Sequence, residues 1–468
     1  MTLVAGVDSS TQSTKVEVRD LETGALVASG RAAHPSTGSA PVSESDPAVW
    51  WAAFEQAWAA AGAPEVAAIS VAGQQHGCVA LDAAHEVIRP AMLWNDTRSA
   101  PDAGWCVKQR GAEWWANEVG SVPVASFTVT KLSLLHRSEP GAWDRIARLC
   151  LPHDYVTWRL RGGGDTPIVT DRGDASGTGY WSPRTGSYDA EILSIIDKDR
   201  DWSGVLPTVA GPLDRVGSWG ATVVGPGTGD NMAAALGVGL RPGDVCVSIG
   251  TSGTVFAVSD TATADASGAV AGFADATGRY LPLVCTLNAG KVIDTFARLL
   301  GVDHAEFSAL ALAAGATAGG PVLLPYFDGE RTPNRPKATG VLSGLRNDVT
   351  RAGLARSVVE GVLCGLIDGI EALAAAGASG DARLVLVGGG ARMAAVPQIL
   401  ADLTGRTVEV CDTDELVALG AARQAAAVLT GGWPSWAAGV GAQVAPTTTA
   451  EGRVEVRERY ADRREREA

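Results

Sequence analysis

One short pattern of strand and polar turn occurs twice in the chain and constrains the fold more than any other feature. It first appears as the apolar residues 3–7, followed by the hydroxyl-rich residues 8–15. It returns at Val245–Ile249, which is followed by Gly-Thr-Ser-Gly-Thr at 250–254. A short β-branched run that ends in small polar residues predicts a strand and a tight turn. Because the two copies are far apart, we expect two lobes built on one plan rather than a solenoid of short repeats.

The length of 468 residues also favours more than one domain, since a single hydrophobic core rarely serves so long a chain. Hydrophobic residues make up 46% of the chain and charged residues 19%, which is typical of a folded globular protein. Strands and helices are both predicted along the chain, so the expected fold class is α/β. We expect an N-terminal lobe over residues 1–242, a C-terminal lobe over 243–440 and a charged tail over 441–468.

The charge balance and the cysteines restrict the partners and the compartment. The chain has 38 Lys and Arg against 52 Asp and Glu, a formal net charge of −14 at pH 7. This charge repels nucleic acid and anionic membranes, so we expect neither as a partner. The longest uncharged stretch is interrupted by glycines and a proline, and the N-terminus does not resemble a signal peptide. The 7 cysteines are dispersed without a Cys-x-x-Cys motif, which predicts reduced thiols and a cytoplasmic protein.

The two polar turns are candidate phosphate sites. Hydroxyl groups and backbone N–H groups in a tight turn can surround phosphate oxygens, and a carboxylate such as Asp8 can hold Mg²⁺ through water. One such turn alone is also typical of a solvated hairpin, but a matching pair favours phosphate binding. The candidate residues are Ser10, Thr11, Thr14 and Lys15 in the first turn and Gly250, Thr251 and Ser252 in the second.

A third candidate turn is the triple glycine at 388–390, which lies between the apolar run Leu384–Val387 and a predicted helix. Glycine lets the backbone approach a flat ring or a phosphate closely, and a helix N-terminus favours anions. A triple glycine does not identify a particular nucleotide, and it lacks the Gly-x-Gly-x-x-Gly spacing of a dinucleotide fold. The chain also has no Gly-x-x-x-x-Gly-Lys-Ser/Thr motif, which excludes a P-loop enzyme.

Two further positions are candidates for chemistry on a hydroxyl substrate. Asp230, in the Gly-rich turn 225–231, can act as the base that phosphoryl transfer to a hydroxyl needs. It can equally well cap the helix that follows. Gln75 and His76, in Gly-Gln-Gln-His-Gly at 73–77, can hydrogen-bond sugar hydroxyls without adding net charge. A lone histidine is more often structural, although a polar loop with a glycine at each end favours binding.

Taken in order over about residues 3–430, these motifs resemble the FGGY family of carbohydrate kinases. That family shares the fold of actin, hexokinase and the Hsp70 ATPase. The resemblance implies a two-lobed α/β fold of the actin-like ATPase type, which is ribonuclease H-like, with a central cleft between the lobes. The matching segments are 6–11, 250–252, Asp-Gly-Glu-Arg-Thr-Pro at 328–333, the glycines at 388–390 and Ala-Leu-Gly-Ala-Ala at 418–422.

The resemblance also implies a role for each candidate residue. Asp230 would be the catalytic base and Asp8 would hold Mg²⁺. The two hydroxyl turns would hold the phosphates of ATP, and Gly389 and Gly390 would flank its adenosine. The sugar would be bound by Gln75, His76, Trp94, Asp230 and Asn231.

Within the family, the segments 73–77, 93–98 and 229–231 are most similar to the kinases of xylulose. This implies ATP-dependent phosphorylation of D-xylulose, and a homodimer, because relatives are often dimers. Many of those kinases have Met where this chain has Gln75, so ribulose, gluconate and glycerol remain alternative substrates. A sugar-sensing module without turnover is a further alternative on the same fold, and the presence of both Asp8 and Asp230 argues against it.

Overall fold

The computed structural model describes residues 1–35, 37–315, 320–378, 380–413, 415–437 and 439–467. The chain forms two compact units that are each discontinuous in sequence. Residues 260–281 and 415–438 belong with the N-terminal residues, although a continuous division at 242/243 would assign them to a C-terminal lobe. A linear pattern does not reveal such long-range packing. Unit 1 comprises Met1–Gly239, Asp260–Leu281 and Glu415–Ala438, and unit 2 comprises Leu240–Ser259, Pro282–Asp414 and Gly439–Ala468.

Strands and helices occur together in both units. In chain order the strands are β1 (Leu3–Ser9), β2 (Ser13–Asp20), β3 (Leu26–Ala33), β4 (Glu44–Ser45), β5 (Ala68–Gly73), β6 (Val79–Leu81), β7 (Ala91–Met92), β8 (Arg148–Cys150), β9 (Val169–Asp171), β10 (Trp181–Ser182), β11 (Ser187–Tyr188), β12 (Thr208–Ala210), β13 (Gly217–Trp219), β14 (Thr222–Val224), β15 (Thr228–Gly229), β16 (Val245–Ile249), β17 (Gly253–Ala257), β18 (Ala271–Ala274), β19 (Tyr280–Thr286), β20 (Val322–Leu324), β21 (Val341–Ser343), β22 (Leu384–Val387), β23 (Val408–Cys411) and β24 (Val440–Val444).

The helices have the following bounds, and a 3₁₀ turn covers Gly389–Arg392. They are α1 (Pro47–Ala60), α2 (Ala100–Arg110), α3 (Ala112–Val119), α4 (Thr128–Ser138), α5 (Pro140–Trp143), α6 (Pro152–Leu160), α7 (Arg172–Ser176), α8 (Ala190–Ile196), α9 (Asp230–Val238), α10 (Gly290–Leu300), α11 (His304–Ala313), α12 (Arg351–Ala375), α13 (Ala395–Thr404), α14 (Leu416–Thr430) and α15 (Ala450–Arg466). Among the described residues, no helix combines the length and the apolar character needed to cross a membrane.

Unit 1 is built on a mixed sheet with the strand order β13-β14-β5-β1-β2-β3, and β15 also pairs with β5. Strand β1 is antiparallel to β2 and parallel to β5. The first pairing places Asp8 opposite Lys15, and the second places Ser9 opposite Gly73. The polar turns that follow β1 and β5 therefore lie at the same edge of the sheet. In α/β folds, ligands commonly bind at the carboxyl ends of parallel strands.

Helix α1 packs on this sheet through the aromatic stripe that its sequence spacing predicts. Trp50 and Phe54 are buried in the core, and Trp51 and Trp58 are partly buried against it. Asp46 caps the helix, as predicted, by accepting a hydrogen bond of 2.9 Å from a backbone N–H of its first turn. Each buried aromatic side chain stabilises the fold by about 1.5–3 kcal/mol. The sheet that carries the polar turns is thus held rigid from this face.

Helices α9 and α14 pack closely because small residues lie at their contact. A Cβ atom on Gly420 would come within 1.8 Å of the carbonyl oxygen of Ala233. A Cβ atom on Gly6 of strand β1 would come within 2.0 Å of the carbonyl oxygen of Ala418. Only glycine fits at such approaches. This packing fixes α9, which begins at Asp230, against α14 and the sheet.

Unit 2 repeats the plan of unit 1. Its sheet contains the run β19-β17-β16-β22-β23-β24, in which β16 is antiparallel to β17 and parallel to β22. The parallel pairing places Ser248 opposite Val387, so the turn after β16 and the glycines after β22 lie at one edge of the sheet. The predicted α/β fold with two similarly built parts is confirmed.

The charged C-terminal residues form part of unit 2. Strand β24 pairs with β23, and helix α15 is capped by Thr449. Val456 and Tyr460 of this helix are buried, and Arg457 pairs with Asp368 at 3.0 Å. The segment predicted as a tail therefore contributes to the packing of this unit.

Candidate active site

The turn that carries Asp230 lies beside the loop that carries Gln75 and His76. Strand β15 pairs in parallel with the end of β5, so that Gly229 lies opposite Gly73. Gly229 occupies the N-cap position of α9, and Asp230 is the first residue of the helix. The carboxylate of Asp230 accepts hydrogen bonds from the backbone N–H of Asn231 at 2.7 Å and from its side-chain amide at 2.9 Å. Asp230 therefore does not cap the helix in the way that one of the two sequence interpretations expected.

The environment of Asp230 favours a proton on its carboxyl group. Burial is the main cause, and the negative charges of Asp8 and Asp174 add to it. Together they raise the pKa of Asp230 to about 7. A carboxylate whose pKa lies near neutrality is suited to accept a proton from a substrate hydroxyl.

Gln75 is fixed by Asn231 and keeps one buried donor group. Its side-chain oxygen accepts a hydrogen bond of 3.0 Å from the amide of Asn231. Its side chain is 4% exposed, and its amide nitrogen has no hydrogen-bond partner among the described residues. A buried donor without a partner costs free energy, about 1–3 kcal/mol. The amide of Gln75 can therefore gain a hydrogen bond when an oxygen-rich ligand binds next to it.

His76 is held in place by several contacts within unit 1. Its backbone has φ = 67°, in the left-handed region, and its Nδ1 lies 2.7 Å from the carbonyl oxygen of Gly177. Because a carbonyl only accepts, Nδ1 carries the proton in this contact. The ring also packs against Phe127 and Phe273, with ring centroids 5.0 Å and 5.6 Å away. The imidazole thus has one defined orientation.

Asp8 lies at the centre of a polar group in the first turn. It is buried, and it accepts a hydrogen bond of 2.5 Å from the hydroxyl of Ser10. The ammonium group of Lys15 lies 3.4 Å from Asp8 and 2.6 Å from Glu415. Burial raises the pKa of Asp8, while Lys15 and Ser10 act in the opposite direction. Lys15 thus partly compensates two carboxylates at this turn.

The donors around Asp8 fit Mg²⁺ held largely by water and phosphate. Within the described residues, no group of three or more His, Cys, Asp or Glu side chains could hold a metal ion. Mg²⁺ does not require such a group, since it commonly uses one or two carboxylates and completes its shell with waters and substrate phosphates. The buried carboxylate of Asp8 is a group of this type, and the hydroxyl of Ser10 donates a hydrogen bond to it.

The other residues predicted in the first turn differ in exposure. The indole N–H of Trp94 donates a hydrogen bond of 3.0 Å to the hydroxyl of Thr11. This bond links a residue predicted to bind the sugar to one predicted to bind phosphate. Thr14 is fully buried, and its hydroxyl lies 3.4 Å from that of Ser9. Thr14 therefore supports the turn from within, while Ser10, Thr11 and Lys15 are partly exposed.

In unit 2 the predicted nucleotide residues gather at one sheet edge. Gly250, Thr251 and Ser252 form the turn between β16 and β17. The backbone N–H of Gly290, at the start of α10, donates to the carbonyl oxygen of Gly250 at 2.9 Å and braces that turn. The glycines after β22 lie at the same edge. Gly389 has open space around it, whereas a Cβ atom on Gly390 would come within 2.3 Å of Ile249.

In each unit, some contacts of the candidate residues and their motifs could not be identified from the sequence. Glu415 is distant from Lys15 in the chain, and no local pattern marks it as its partner. Glu330 was recognised only as part of a motif. The structure shows that its carboxylate accepts hydrogen bonds from the backbone N–H of Leu287 at 2.6 Å and from the amide of Asn288 at 2.9 Å. A buried group of acidic residues around His153 is also absent from the sequence-based predictions.

Comparison with known proteins identifies the family. The FGGY family of carbohydrate kinases matches with its N-terminal domain over residues 3–237 and with its C-terminal domain over residues 245–429. The chain is 48% identical over 441 residues to the xylulose kinase of Streptomyces coelicolor, which covers 92% of this chain and 88% of the relative. It is 34% identical over 438 residues to the xylulose kinase of Escherichia coli K12, which covers 90% and 89%.

Solved structures agree with this relationship. The xylulose kinase from Bifidobacterium adolescentis superposes with a TM-score of 0.88 at 42% identity, over 99% of both chains. The gluconate kinase from Lactobacillus acidophilus has a TM-score of 0.90 at 21% identity, over 99% of this chain and 98% of that one, which bears on the fold alone. The chain therefore belongs to the FGGY family of carbohydrate kinases, enzymes that use ATP to phosphorylate a sugar.

Proposed function

We propose that the protein phosphorylates D-xylulose with ATP to give D-xylulose 5-phosphate. The observation that carries the proposal is the position of Asp230, a carboxylate with a pKa of about 7 beside Gln75 and Asn231. The relatives of highest identity given above are xylulose kinases. Their names concern those proteins, and the residues around Asp230 extend the assignment to this chain.

Unit 1 would bind the sugar through a small set of neutral hydrogen-bonding groups. Gln75 offers its unpartnered amide N–H, and Asn231 donates a hydrogen bond to the oxygen of the same amide. His76 presents a ring of fixed orientation, and Trp94 provides a partly exposed aromatic face. Neutral donors and an aromatic face suit a polyhydroxylated substrate without charge. Gln75, His76, Trp94 and Asn231 are therefore proposed as sugar ligands.

Asp230 would act as the general base. The terminal hydroxyl oxygen of the sugar would form a bond to the γ-phosphorus of ATP. As this bond forms, the proton of the hydroxyl would pass to the Asp230 carboxylate. The bond from that phosphorus to the bridging oxygen of ADP breaks at the same time, and ADP leaves. Asn231 holds the carboxylate through two hydrogen bonds, which keeps it aligned with the hydroxyl it serves.

The phosphate-binding residues would be divided between the two hydroxyl turns. Asp8 and Ser10 are proposed to hold Mg²⁺, partly through water, and the ion would neutralise phosphate charge as transfer proceeds. Lys15 offers a cation beside Asp8, and Thr11 and Thr14 shape the same turn. Gly250, Thr251 and Ser252 are proposed to bind phosphate, and Gly389 and Gly390 to flank adenosine. The open space at Gly389 suits a flat ring.

The setting of the reaction follows from composition. The 7 cysteines, all among the described residues, form no disulfide and are at least partly buried, which supports a reducing, cytoplasmic setting. The net charge of −14 supports a small-molecule partner rather than nucleic acid or an anionic membrane.

A sugar panel tests the proposal directly. ADP release is measured with saturating ATP and Mg²⁺ and with D-xylulose, D-ribulose, gluconate or glycerol, and ³¹P NMR identifies the product. We expect D-xylulose to give the highest kcat/KM and a phosphate ester at the terminal carbon. A higher kcat/KM for another acceptor would replace the substrate, and no acceptor-dependent ADP release would replace the enzymatic function by a sugar-binding one.

The contribution of Gln75 to sugar choice can be tested in the same assay. Gln75→Met keeps the length of the side chain but removes the amide and its hydrogen bond with Asn231. We expect KM for D-xylulose to rise about 10-fold, the loss that one hydrogen bond in a buried site produces, with a smaller change in kcat. Gln398→Met, which makes the same change in helix α13 of unit 2, is the control variant, because Gln398 lies outside the proposed sugar ligands. Equal KM values for the Gln75→Met variant and the unmodified enzyme would contradict a sugar contact at Gln75.

A further inference from the structure

A buried ionic group in unit 1 lies outside the proposed set of sugar and phosphate ligands. The imidazole of His153 is fully buried, with Nδ1 2.7 Å from Asp174 and Nε2 3.1 Å from Asp154. A third carboxylate, that of Asp171, lies 3.9 Å from Nε2. We call His153, Asp154, Asp171 and Asp174 the acidic cluster. Three buried carboxyl groups surround one buried imidazole in this cluster. Buried ionic groups contribute little to net stability because removing them from water is costly, so stability alone does not explain the cluster.

The acidic cluster lies directly beneath the two loops of the candidate site. A Cβ atom on Gly73 would come within 3.0 Å of Cβ of His153, and one on Gly227 would come within 2.6 Å of its ring. Gly73 opens the loop that carries Gln75 and His76, and Gly227 lies in the turn that leads to Asp230. His153 thus packs against the start of both loops, through its backbone and Cβ at Gly73 and through its ring at Gly227.

Asp171 connects the acidic cluster to the turn of the proposed base. Its carboxylate accepts a hydrogen bond of 2.7 Å from the hydroxyl of Thr228, two residues before Asp230. It also caps helix α7 by accepting from the backbone N–H groups of Gly173 at 2.8 Å and Asp174 at 2.9 Å. The Thr228 hydroxyl therefore donates to a carboxylate that two backbone N–H groups also hold.

Helix α7 connects the same cluster to His76. The carboxylate of Asp174 accepts a hydrogen bond from the backbone of His76, and this bond favours its charged form. The carbonyl oxygen of Gly177, which directly follows the helix, accepts from the imidazole of His76 at 2.7 Å. Backbone and ring of His76 are therefore both positioned by residues at the end of this short helix.

We infer that helix α7 and the acidic cluster form a positioning element for two segments. The first is the turn 225–231 that carries Asp230, here called the base turn, whose position is fixed by the Thr228–Asp171 hydrogen bond. The second is the loop 73–77 that carries His76, here called the sugar loop, whose position is fixed by the Gly177–His76 contact. The inference rests on the proposed function, since it concerns the placement of Asp230 and His76. Thr228, Asp171 and Gly177 are positioning residues, because none of them is proposed to touch the substrate. The electrostatics agree with a permanent ionic anchor. Burial disfavours the charged form of His153, but Asp154, Asp174 and Asp171 outweigh burial and raise its pKa to about 10.

The base-turn contact is tested with a matched pair of substitutions. Thr228→Val keeps the shape of the side chain and removes its donor, whereas Thr228→Ser keeps the donor. Asp171 retains its two backbone donors in both variants. We expect Thr228→Val to lower kcat about 10- to 100-fold, the scale for a misplaced catalytic group, with KM for the sugar changed by less than about 3-fold. Thr228→Ser is expected to restore most of kcat.

The sugar-loop contact is tested by Gly177→Ala. Gly177 has φ = −79° and ψ = −5°, which alanine adopts without strain, so the added methyl group acts mainly on the ring of His76, 2.7 Å from the new Cβ. We expect KM for the sugar to rise about 10-fold or more with kcat changed by less than about 3-fold. Thr228→Val should therefore change mainly kcat, whereas Gly177→Ala should change mainly KM.

Each outcome separates this inference from the proposed function. Asp230→Asn is assayed in parallel, together with the thermal unfolding temperature of every variant. If Asp230→Asn loses activity while Thr228→Val and Gly177→Ala both keep normal kcat and KM, the positioning element is wrong and the proposed function stands. If Thr228→Ser is as impaired as Thr228→Val, the hydrogen bond is not the cause and the inference also fails. Normal activity of Asp230→Asn would instead overturn the proposed function.

Discussion

At the scale of single residues, the proposed role of Asp230 depends on how its surroundings change its acidity. An exposed aspartate is ionised at neutral pH but is a weak base. Burial and the nearby charges of Asp8 and Asp174 bring its pKa to about 7, where a carboxylate can accept a proton and is still largely ionised under mildly alkaline conditions. Asn231 acts in the opposite direction, because it donates two hydrogen bonds to the carboxylate and its backbone N–H favours the charged form.

The acidity of Asp230 predicts a pH profile. The base must be deprotonated to act, and its pKa is raised, so kcat/KM should fall as pH falls through about 7. Below that point the decline should approach 10-fold per pH unit. The measurement is kcat/KM for D-xylulose from pH 5.5 to 9 at saturating MgATP. A kcat/KM that stays constant down to pH 5.5 would contradict a base of this acidity. As the control, the response of the coupled assay itself is verified to be the same at every pH.

Only some residues of the candidate site could be predicted from the sequence. Gln75, Trp94, Asp230 and Asn231 could be named from short motifs, and the structure brings Gln75, Asp230 and Asn231 into one hydrogen-bonded group. Glu415 could not be named, because its partner Lys15 lies at the opposite end of the chain. The roles of Gln75, Trp94, Asp230 and Asn231 in binding and catalysis stay predictions.

At the scale of elements, the strands that end in polar turns were the most predictable part of the fold. Strands β1, β16 and β22 are short apolar runs with clear ends, and helices α12 and α14 follow a regular apolar spacing. The acidic cluster on α6 and α7 was not predictable, because its partners come from separate segments. The grouping of residues 260–281 and 415–438 with unit 1 depends on long-range packing of the same kind, and the predicted division at 242/243 stays a prediction.

The contact between α9 and α14 predicts the effect of one added methyl group. In Gly420→Ala the new Cβ would lie 1.8 Å from the carbonyl oxygen of Ala233, so the two helices must separate. Alanine favours a helix by about 1 kcal/mol over glycine. Overpacking should nevertheless dominate and lower the free energy of unfolding by about 1–3 kcal/mol. Urea unfolding followed by circular dichroism measures the change.

Gly432→Ala provides the control for that prediction. No atom lies within 4 Å of the Cβ that this substitution adds. Its free energy of unfolding should stay within about 0.5 kcal/mol of the unmodified protein. An unfolding free energy for Gly420→Ala that equals or exceeds that of Gly432→Ala would contradict the close packing of α9 on α14.

At the scale of the whole molecule, the repeated plan of strands places the candidate functional turns of each unit at one edge of that unit's sheet. In unit 1 these are the turns after β1 and β5, and in unit 2 those after β16 and β22. The repeat was visible in the sequence because each turn directly follows its own strand. The family follows from matches along most of the chain.

The acidic cluster predicts how global stability depends on pH. The pKa of His153 is raised to about 10 and that of Asp154 to about 7, so the folded protein binds these protons more tightly than the unfolded chain does. The contribution of His153 is complete below its unfolded pKa of about 6.5 and is lost as pH rises through about 10. The urea midpoint should therefore fall between pH 6.5 and 10. A midpoint that rises over this range would contradict a buried imidazolium.

The role of Asp230 is tested most directly by the turnover of Asp230→Asn with D-xylulose and MgATP. Asparagine has the same shape and can still accept from Asn231, so the fold should be kept, which the thermal unfolding temperature verifies. We predict a fall in kcat of about 100-fold or more, the usual scale for loss of a general base, with sugar binding retained in a titration of intrinsic tryptophan fluorescence. A folded variant with near-normal kcat would contradict the assignment of Asp230 as the base.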